Sequence, residues 1–481
     1  MQVNREGIHQ SSFAPWLGCL ILASGLPFFA VPLIRFAWTT PEPINYGEGP
    51  ILQQILSLLS GSTVYQNSWH DLPWRVANYP LGYHLVTAPL LAITGPSFIP
   101  LRVVSFLALV GCAFLLYSIS RALGGSQGRS LFASLVFASS CPVLLWGVFG
   151  RVDMVALLFS LAALRCAIGK FYAEVQGRDV GAAILLGLLA TFTRQTALAL
   201  TLIGCAGILV LRGSPKSAVT FSTIFLGSLL TLFAAADSWT AGGVFLNLIV
   251  ANANPLEWRR IVTLVELLMF QSPVHVILAF SAVALLGGAK PLHRVAPLLI
   301  LASLPSALAF AKVGASSNYA LELVASSSLV VVLLERLNLR TRAASILLIA
   351  TLAAFPALYL ARSPDFTMIF KVPDLDLRRK QELMCATKGL VLNVSSFGLE
   401  LLCGKPLIYQ PFEIQQLIEH KLWRPSQMIR AIRARRFELI LVEDSREQIR
   451  LIAEPVGRAR RALLTRYKRQ LHDFGLVWVR R

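Results

Sequence analysis

Long apolar runs broken by short charged loops occupy the first three quarters of the chain. The first extends from Pro15 to Trp38. Later ones cover roughly residues 100–122, 131–149, 154–172, 180–193, 195–212, 217–236, 261–287, 293–311, 319–335 and 342–361. A helical run of about 20 apolar residues matches the hydrocarbon core of a bilayer. The pattern therefore predicts about eleven transmembrane helices. A single cation, Arg5, precedes the first run. That run is too long for a signal-peptide core and reads as an uncleaved span.

Two regions depart from this pattern. A polar stretch, Thr39 to Tyr79, contains Glu42, Glu48, His70, Asp71 and Arg75. Inside it, Ile51 to Leu59 has the pattern of an amphipathic helix lying on the membrane surface. The next apolar stretch, Pro80 to Thr94, is bounded by Pro80 and Pro96 and broken by Pro89. Prolines disrupt a helix interior, so it is assigned as a juxtamembrane or re-entrant helix. From Arg362, strand-like runs (Leu390 to Val394, Pro406 to Tyr409, Phe437 to Val442, Leu476 to Val479) alternate with helix-like ones (Phe397 to Leu402, Glu413 to His420). This alternation predicts a small α/β domain with a parallel-type sheet. The expected fold is an all-α polytopic membrane protein with a small C-terminal α/β domain. Residues 1–361 form the membrane domain, with a first outer loop over 39–99, and residues 362–481 form the tail.

Loop charge orients the chain. Alternate loops hold Arg121 and Arg129; Lys170 and Arg178; Arg212 and Lys216; Lys290 and Arg294; Arg336, Arg340 and Arg342. The positive-inside rule makes their side cytoplasmic. The N-terminus is then cytoplasmic and the tail exocytoplasmic, in a multi-pass protein of the inner (plasma) membrane. Merging the two short runs that flank Thr193, Arg194 and Gln195 would invert everything after them.

Composition sharpens the membrane assignment. Only 14% of residues are charged, against about a quarter in soluble domains. A net charge of +19 would suggest nucleic acid in a soluble protein. Here the cations fill short loops and the tail, so no nucleic-acid partner is expected. Tail cations could meet anionic headgroups or an anionic substrate. The seven cysteines lack metal-ligand spacing. Cys385 and Cys403, both in the tail, are either free thiols or a disulfide pair. There is no Walker loop, dinucleotide fingerprint or HExxH motif, so nothing indicates ATP hydrolysis or zinc proteolysis.

Candidate chemistry gathers on the outer face. Glu48 lies in Asn45-Tyr46-Gly47-Glu48-Gly49-Pro50, between glycines that let a ligand approach the backbone. Asp153, in Arg151-Val152-Asp153, sits at a membrane edge, where an acid is paired or functional. Each reads either as a solvated loop acid or as a general base. Arg194 interrupts an apolar stretch, as a snorkelling cation or as a phosphate ligand, with Gln195 beside it. Lys312, Arg151 and Arg75 are further cations for a phosphate. Lys312 could instead pair with Glu322, and Arg151 with Asp153. Asn78, Tyr79, His70, Asn318 and Tyr319 are polar residues of the same loops. Glu266 and His275 fall in one run but not on one helical face, and read as packing residues.

The order of these segments resembles the GT-C glycosyltransferases, and most closely glycosyltransferase family 39, which includes protein O-mannosyltransferases and the lipid A aminoarabinose transferase. The carrying segments are Tyr46-Gly47-Glu48-Gly49-Pro50, Val76-Ala77-Asn78-Tyr79-Pro80-Leu81, Gly150-Arg151-Val152-Asp153, Thr193-Arg194-Gln195, and Ser317-Asn318-Tyr319 with Glu322. The resemblance implies a polyprenyl-phosphate sugar donor, exocytoplasmic transfer and inversion at the anomeric carbon. It places Glu48 as general base, Asp153 as second acid, and Arg194 near the lipid phosphate, with Arg151, Gln195 and Lys312 supporting. Tyr46, Asn78, Tyr79, His70, Asn318, Tyr319 and Glu322 become substrate-binding candidates. It leaves room for a divalent metal and names neither sugar nor acceptor, which could be a lipid, a glycan or a protein. Glu48 is the only acid in its motif, and Asn78 with a single Pro80 stands where the family often has a lysine before paired prolines. A secondary transporter or lipid flippase would want charges deep within several spans and an internal repeat, and the sequence shows no repeat.

Overall fold

The computed structural model describes residues 13–284, 291–336, 339–360, 375–394, 398–442, 467–472 and 475–480. The membrane domain is helical. Helix α1 (Phe13–Thr39) is followed by α2 (Glu48–Leu59), α3 (Gly82–Thr94), α4 (Ile99–Ala122), α5 (Gln127–Ala138), α6 (Cys141–Val148), α7 (Asp153–Ile168), α8 (Gly177–Thr191), α9 (Ala197–Leu211) and α10 (Pro215–Trp239). A short α11 (Gly243–Phe245) leads into a π-helical turn, Leu246–Val250. Then come α12 (Arg259–Gln271), α13 (Pro273–Ala284), α14 (Val295–Leu308), α15 (Leu321–Ser328), extended by a 3-10 turn over Leu329–Arg336, and α16 (Leu339–Leu360). Four helical stretches among the described residues are long and apolar enough to cross a membrane: Ala14–Thr39, Ile99–Ala122, Pro215–Trp239 and Pro291–Ala311. Two bent pairs raise that to six.

The breaks explain the difference from the continuous runs seen in sequence. Run 131–149 bends by 67° between α5 and α6, where Pro142 opens the second helix. Run 261–287 is not one helix: α12 and α13 meet at 112°, because Ser272 is extended (φ −158°, ψ 54°) and Pro273 brings no N–H. Glu266 therefore lies exposed on α12, and His275 lies buried on α13 beside Ser328. The runs flanking Arg194 do not merge. Helices α8 and α9 fold back as a hairpin, and a Cβ on Gly187 would meet Thr201 Cγ2 at 2.6 Å. Glycine there lets the two helices approach closely.

Helix α2 departs from the surface-lying expectation. Ile51, Leu52 and Ile55 join the membrane-domain core, and the polar side is buried too. Gln53 Oε1 accepts from the Leu407 N–H at 2.7 Å, and Gln54 shares a 2.7 Å hydrogen bond with His84 Nε2. The polar face of α2 was made for the tail rather than for water.

The tail contains α17 (Leu375–Ala386), α18 (Pro411–Glu419), α19 (Ser426–Arg433), and strands β1 (Val391–Asn393), β2 (Leu439–Val442), β3 (Tyr467–His472) and β4 (Gly475–Arg480). The sheet order is β1-β2-β4-β3. Only β1 and β2 are parallel; β4 pairs antiparallel with both β2 and β3, so the sheet is mixed and not of parallel type. The sequence hid β3, whose Lys468 and Arg469 give it the charged character of an edge strand. Pro406 to Tyr409 does not join the sheet: Tyr409 bridges Trp74, and Ile408 O accepts from Trp74 N at 2.8 Å. The run from Phe397 becomes a 3-10 turn over Leu399–Cys403, Phe397 itself lying outside the described residues. Cys385 and Cys403 form a disulfide, Cα atoms 5.0 Å apart, tying α17 to that turn.

Tail and first loop share their cores. Trp69, Trp74 and Val76 pack with Tyr409, Ile414, Trp423, Met428 and Ile432, and the rings of Trp74 and Trp423 meet edge to face at 5.4 Å. Leu401 and Leu407 of the tail belong to the membrane-domain core. This packing puts the tail on the same face as the Glu48 loop. Single cysteines replacing Ser68 and Ser426, both exposed, should therefore react alike with an impermeant maleimide in intact cells. Labelling of one with protection of the other would contradict this shared face.

Candidate active site

Five segments and one tail helix converge on this face. The first outer loop supplies Asn45 and Tyr46. The segment before α3 supplies Asn78 and Tyr79. The α6–α7 turn supplies Arg151, and Asp153 opens α7. The α8–α9 turn supplies Arg194 and Gln195, and the segment before α15 supplies Asn318 and Tyr319, with Glu322 in its first turn. A Cβ on Gly82 would collide with Thr193, and Gly82 N donates to Phe192 O at 2.7 Å, so α3 is seated directly on the Arg194 turn.

The sequence placed Glu48 and Asp153 together, but the structure gives them different settings. Glu48 is fully buried. Its Oε1 accepts from Arg102 Nε (3.1 Å) and Gly150 N (2.8 Å), and its Oε2 from Arg102 Nη2 (2.8 Å) and Ile44 N (2.9 Å). A carboxylate offers about four lone-pair sites, and here all are filled. The glycines beside Glu48 admit no ligand. A Cβ on Gly47 would occupy the place of the Arg151 guanidinium, and Gly49 Cα lies against Gly398 of the tail (φ +97°), where a Cβ would stand 2.6 Å away.

Asp153 is equally buried, at 1% exposure, but incompletely satisfied. Oδ1 lies 3.3 Å from Arg194 Nε and accepts from Asn318 Nδ2 at 2.8 Å. Oδ2 faces Arg151 Nε across 3.8 Å, and neither atom has a hydrogen-bond partner. Arg194 is 2% exposed, so it does not snorkel. It also pairs with Glu322 (3.2 Å), donates to Asn318 O (3.2 Å) and stacks on Tyr319 at 4.7 Å, while its Nη2 is unpartnered. Buried polar atoms without partners are costly. Five of them, on Asp153, Arg151, Arg194, Asn318 and Glu322, cluster here.

Glu322 thus pairs with Arg194 and not with Lys312. The Lys312 ammonium donates to Asn252 Oδ1, and Asn252 and Gln195 both donate to Asn78 O, at 3.2 and 3.0 Å. Burial pulls Lys312 down to about 8. Arg151 donates to Tyr79 Oη (2.8 Å) and Asn45 Oδ1 (3.3 Å). Glu413, on α18, was missed in sequence: it accepts from the Tyr46 hydroxyl and from Asn78 Nδ2 (3.1 Å). Burial raises its carboxyl above the usual range, against the hydrogen bond from Tyr46. Two candidates fall elsewhere. His70 is exposed, 3.4 Å from Gln427 of the tail, and Arg75 occupies a narrow recess with Gln53, Gln54, Ser57 and Gln410. Among the described residues no three His, Cys, Asp or Glu side chains converge to hold a metal.

The fold has close counterparts among solved structures. ArnT from Cupriavidus metallidurans, bound to undecaprenyl phosphate, superposes with a TM-score of 0.66 at 10% identity, over 96% of this chain and 97% of that one. The archaeal oligosaccharyltransferase AglB from Archaeoglobus fulgidus, in complex with an inhibitory peptide and a dolichol-phosphate, gives 0.55 at 10% identity, over 96% and 74%. No protein-family model and no curated protein matches the sequence.

Glu48 is tied on all sides to Arg102, Ile44 and Gly150. Glu48→Gln leaves Arg102 buried beside a neutral amide and should cost about 3–5 kcal/mol of stability. In detergent the thermal denaturation midpoint should fall clearly, and Glu48→Leu with Arg102→Leu should regain part of the loss. An unchanged midpoint for Glu48→Gln would remove the structural role.

Proposed function

We propose that this chain, whose fold is that of the GT-C glycosyltransferases, is a membrane glycosyltransferase. It takes a sugar from a polyprenyl-phosphate carrier and transfers it on the exocytoplasmic face. About eleven crossings fit the arrangement, with each bent pair counted once and α2 and α3 outside the count. The carrying observation is the cluster of unpartnered buried atoms on Asp153, Arg151 and Arg194. Support for the donor class comes from the lipid phosphates bound in the two structural counterparts.

The chemistry divides among the residues as follows. The acceptor oxygen attacks the anomeric carbon, the carbon–oxygen bond to phosphate breaks, and the configuration inverts in this single displacement. Asp153, with Oδ2 free, takes the acceptor proton; Glu48, its lone pairs filled, holds the loop. The leaving phosphate is stabilised by Arg194 Nη2, Arg151 and Lys312, with Gln195 setting the Asn78 carbonyl that anchors the lysine's partner. Arg151, Arg194 and Lys312 offer an anion three cations, against the carboxylates of Asp153, Glu322 and Glu413. Tyr79, Tyr319 and Asn318 hold the cations and the base in place, while Tyr46, Asn78 and Glu413 close the site from the tail side.

Two outcomes follow. Asp153→Asn keeps shape but accepts no proton, so turnover per folded molecule should fall by about 100-fold or more. Near-normal turnover in this variant, assayed with a synthetic polyprenyl-phosphate sugar, would reject Asp153 as the base. The second concerns Lys312. Burial lowers its pKa, so the cation is present below about 8 and lost as pH rises through that value. Apparent donor affinity should weaken above that pH in the wild type, and the alkaline decline should vanish in Lys312→Arg, which stays charged. An identical decline in both proteins would separate Lys312 from the phosphate.

A further inference from the structure

One strongly charged surface of the tail has no part in the chemistry above. Lys421, Arg424, Arg430, Arg433, Arg435 and Arg436 are all exposed, and no acid occurs from Lys421 to Phe437. None of the six makes an ion pair among the described residues. The segment is nonetheless rigidly held. On α19, Gln427, Met428, Ala431 and Ile432 are buried against the core shared with Trp69 and Trp74, so Arg430 and Arg433, three residues apart, project together on the open side. Two of the cations sit at backbone positions that favour glycine: Lys421 has φ +60° and Arg435 φ +54°. The chain keeps a charge at both strained turns that flank the helix.

The surface is also tied to the site. Helix α18 carries Glu413 into contact with Tyr46 and Asn78 and then runs directly into Lys421. From Lys421 to Phe437 no large hydrophobic side chain is exposed, whereas Trp239 of α10, Trp258, and Val262 and Phe270 of α12 are exposed. Amphipathic segments that enter a bilayer carry an apolar anchor opposite their cations. This segment spends its apolar face on the tail core, so it suits a polyanion arriving from the aqueous side.

We propose that this basic shelf docks the acceptor, and that the acceptor bears phosphate groups near the hydroxyl to be glycosylated. Guanidinium forks match phosphate oxygens, and an unpaired cluster of one sign concentrates polyanions at the mouth of the site. That the docked anion is the acceptor rests on the transferase reading; that the shelf binds polyphosphate-like anions does not.

The test uses the full chain in nanodiscs of zwitterionic lipid, with fluorescent short-chain inorganic polyphosphate as probe. The wild type should bind it with an affinity that falls steeply with salt. Arg430→Gln, Arg433→Gln and Arg436→Gln combined should weaken binding by about tenfold or more without shifting the denaturation midpoint, and Arg178→Gln, an exposed cation in the first turn of α8, should not weaken it. Equal binding by the triple variant would overturn the shelf. Loss of wild-type probe binding when the discs contain phosphatidylglycerol would assign it to membrane headgroups and overturn the acceptor reading. In a transfer assay, polyphosphate should inhibit the wild type and spare the triple variant; equal inhibition would place the polyanion elsewhere. A chain with no turnover at all would reject the transferase reading while the binding result still judged the shelf.

Discussion

The guanidinium of Arg102 uses all five of its N–H donors on one bend of the chain. It grips both oxygens of Glu48 and the carbonyls of Ala37, Thr40 and Glu42. Those carbonyls are the last of α1 and the first of the outer loop, so one side chain on α4 ends the first helix and fixes the direction in which the loop leaves it. Glu48 in turn opens α2 and receives the N–H of Gly150, which precedes Arg151. A buried ion pair adds little net stability compared with an apolar pair of the same shape, but it is costly to break. Its effect here is specificity of geometry: α1, α2, α4 and the Arg151 turn have one mutual arrangement, and Asp153 inherits its position from it.

The tail completes this arrangement from the other side. Gln53 and Gln410 each satisfy a backbone N–H across the junction, the latter at Val76 N (2.6 Å), and Gly398 reaches the backbone of Gly49. Such contacts are directional, and they replace water on what would otherwise be the polar face of α2. The first loop is therefore held between two bodies. A loop carrying reacting groups at a membrane surface would otherwise be the most mobile part of the molecule.

Much of this was legible in sequence, for reasons that particular residues make plain. Arg194 stood out because a cation inside an apolar stretch demands a partner, and Asp153 because an acid at a membrane edge does. The structure joins them. Pro80 and Pro96 bound α3 at a length short of the helices long enough to cross, while Pro89 lies inside it without breaking it. What stayed hidden was partnership over long sequence distance. Arg102, near the start of an apolar run, carries the same signal as Arg194 but has no acid near it in sequence. Glu413 begins a helix-like run, and nothing local ties it to Tyr46. The glycines beside Glu48 announced a close approach without saying of what, and both approaches are made by the protein itself. Run 261–287 keeps an apolar composition across a 112° break, which periodicity alone does not reveal.

The remaining question is how a cation proposed to meet a phosphate is held in so dry a place. Arg194 rests between Asp153 and Glu322, which neutralise it. Those same carboxylates would repel an incoming anion if they were the only charges present. Arg151 and Lys312 change the balance. Arg151 is attached mainly to neutral oxygens, of Tyr79 and Asn45, and Lys312 to the amide oxygen of Asn252. Neutral partners hold these cations in position without cancelling them, so their field reaches the site nearly whole where water does not screen it. In the proposed transfer, protonation of Asp153 would remove one of the two counter-charges of Arg194 as the phosphate gains negative charge. On that proposal, proton transfer and leaving-group stabilisation would be coupled through a single guanidinium, which would favour the transition state over the bound donor.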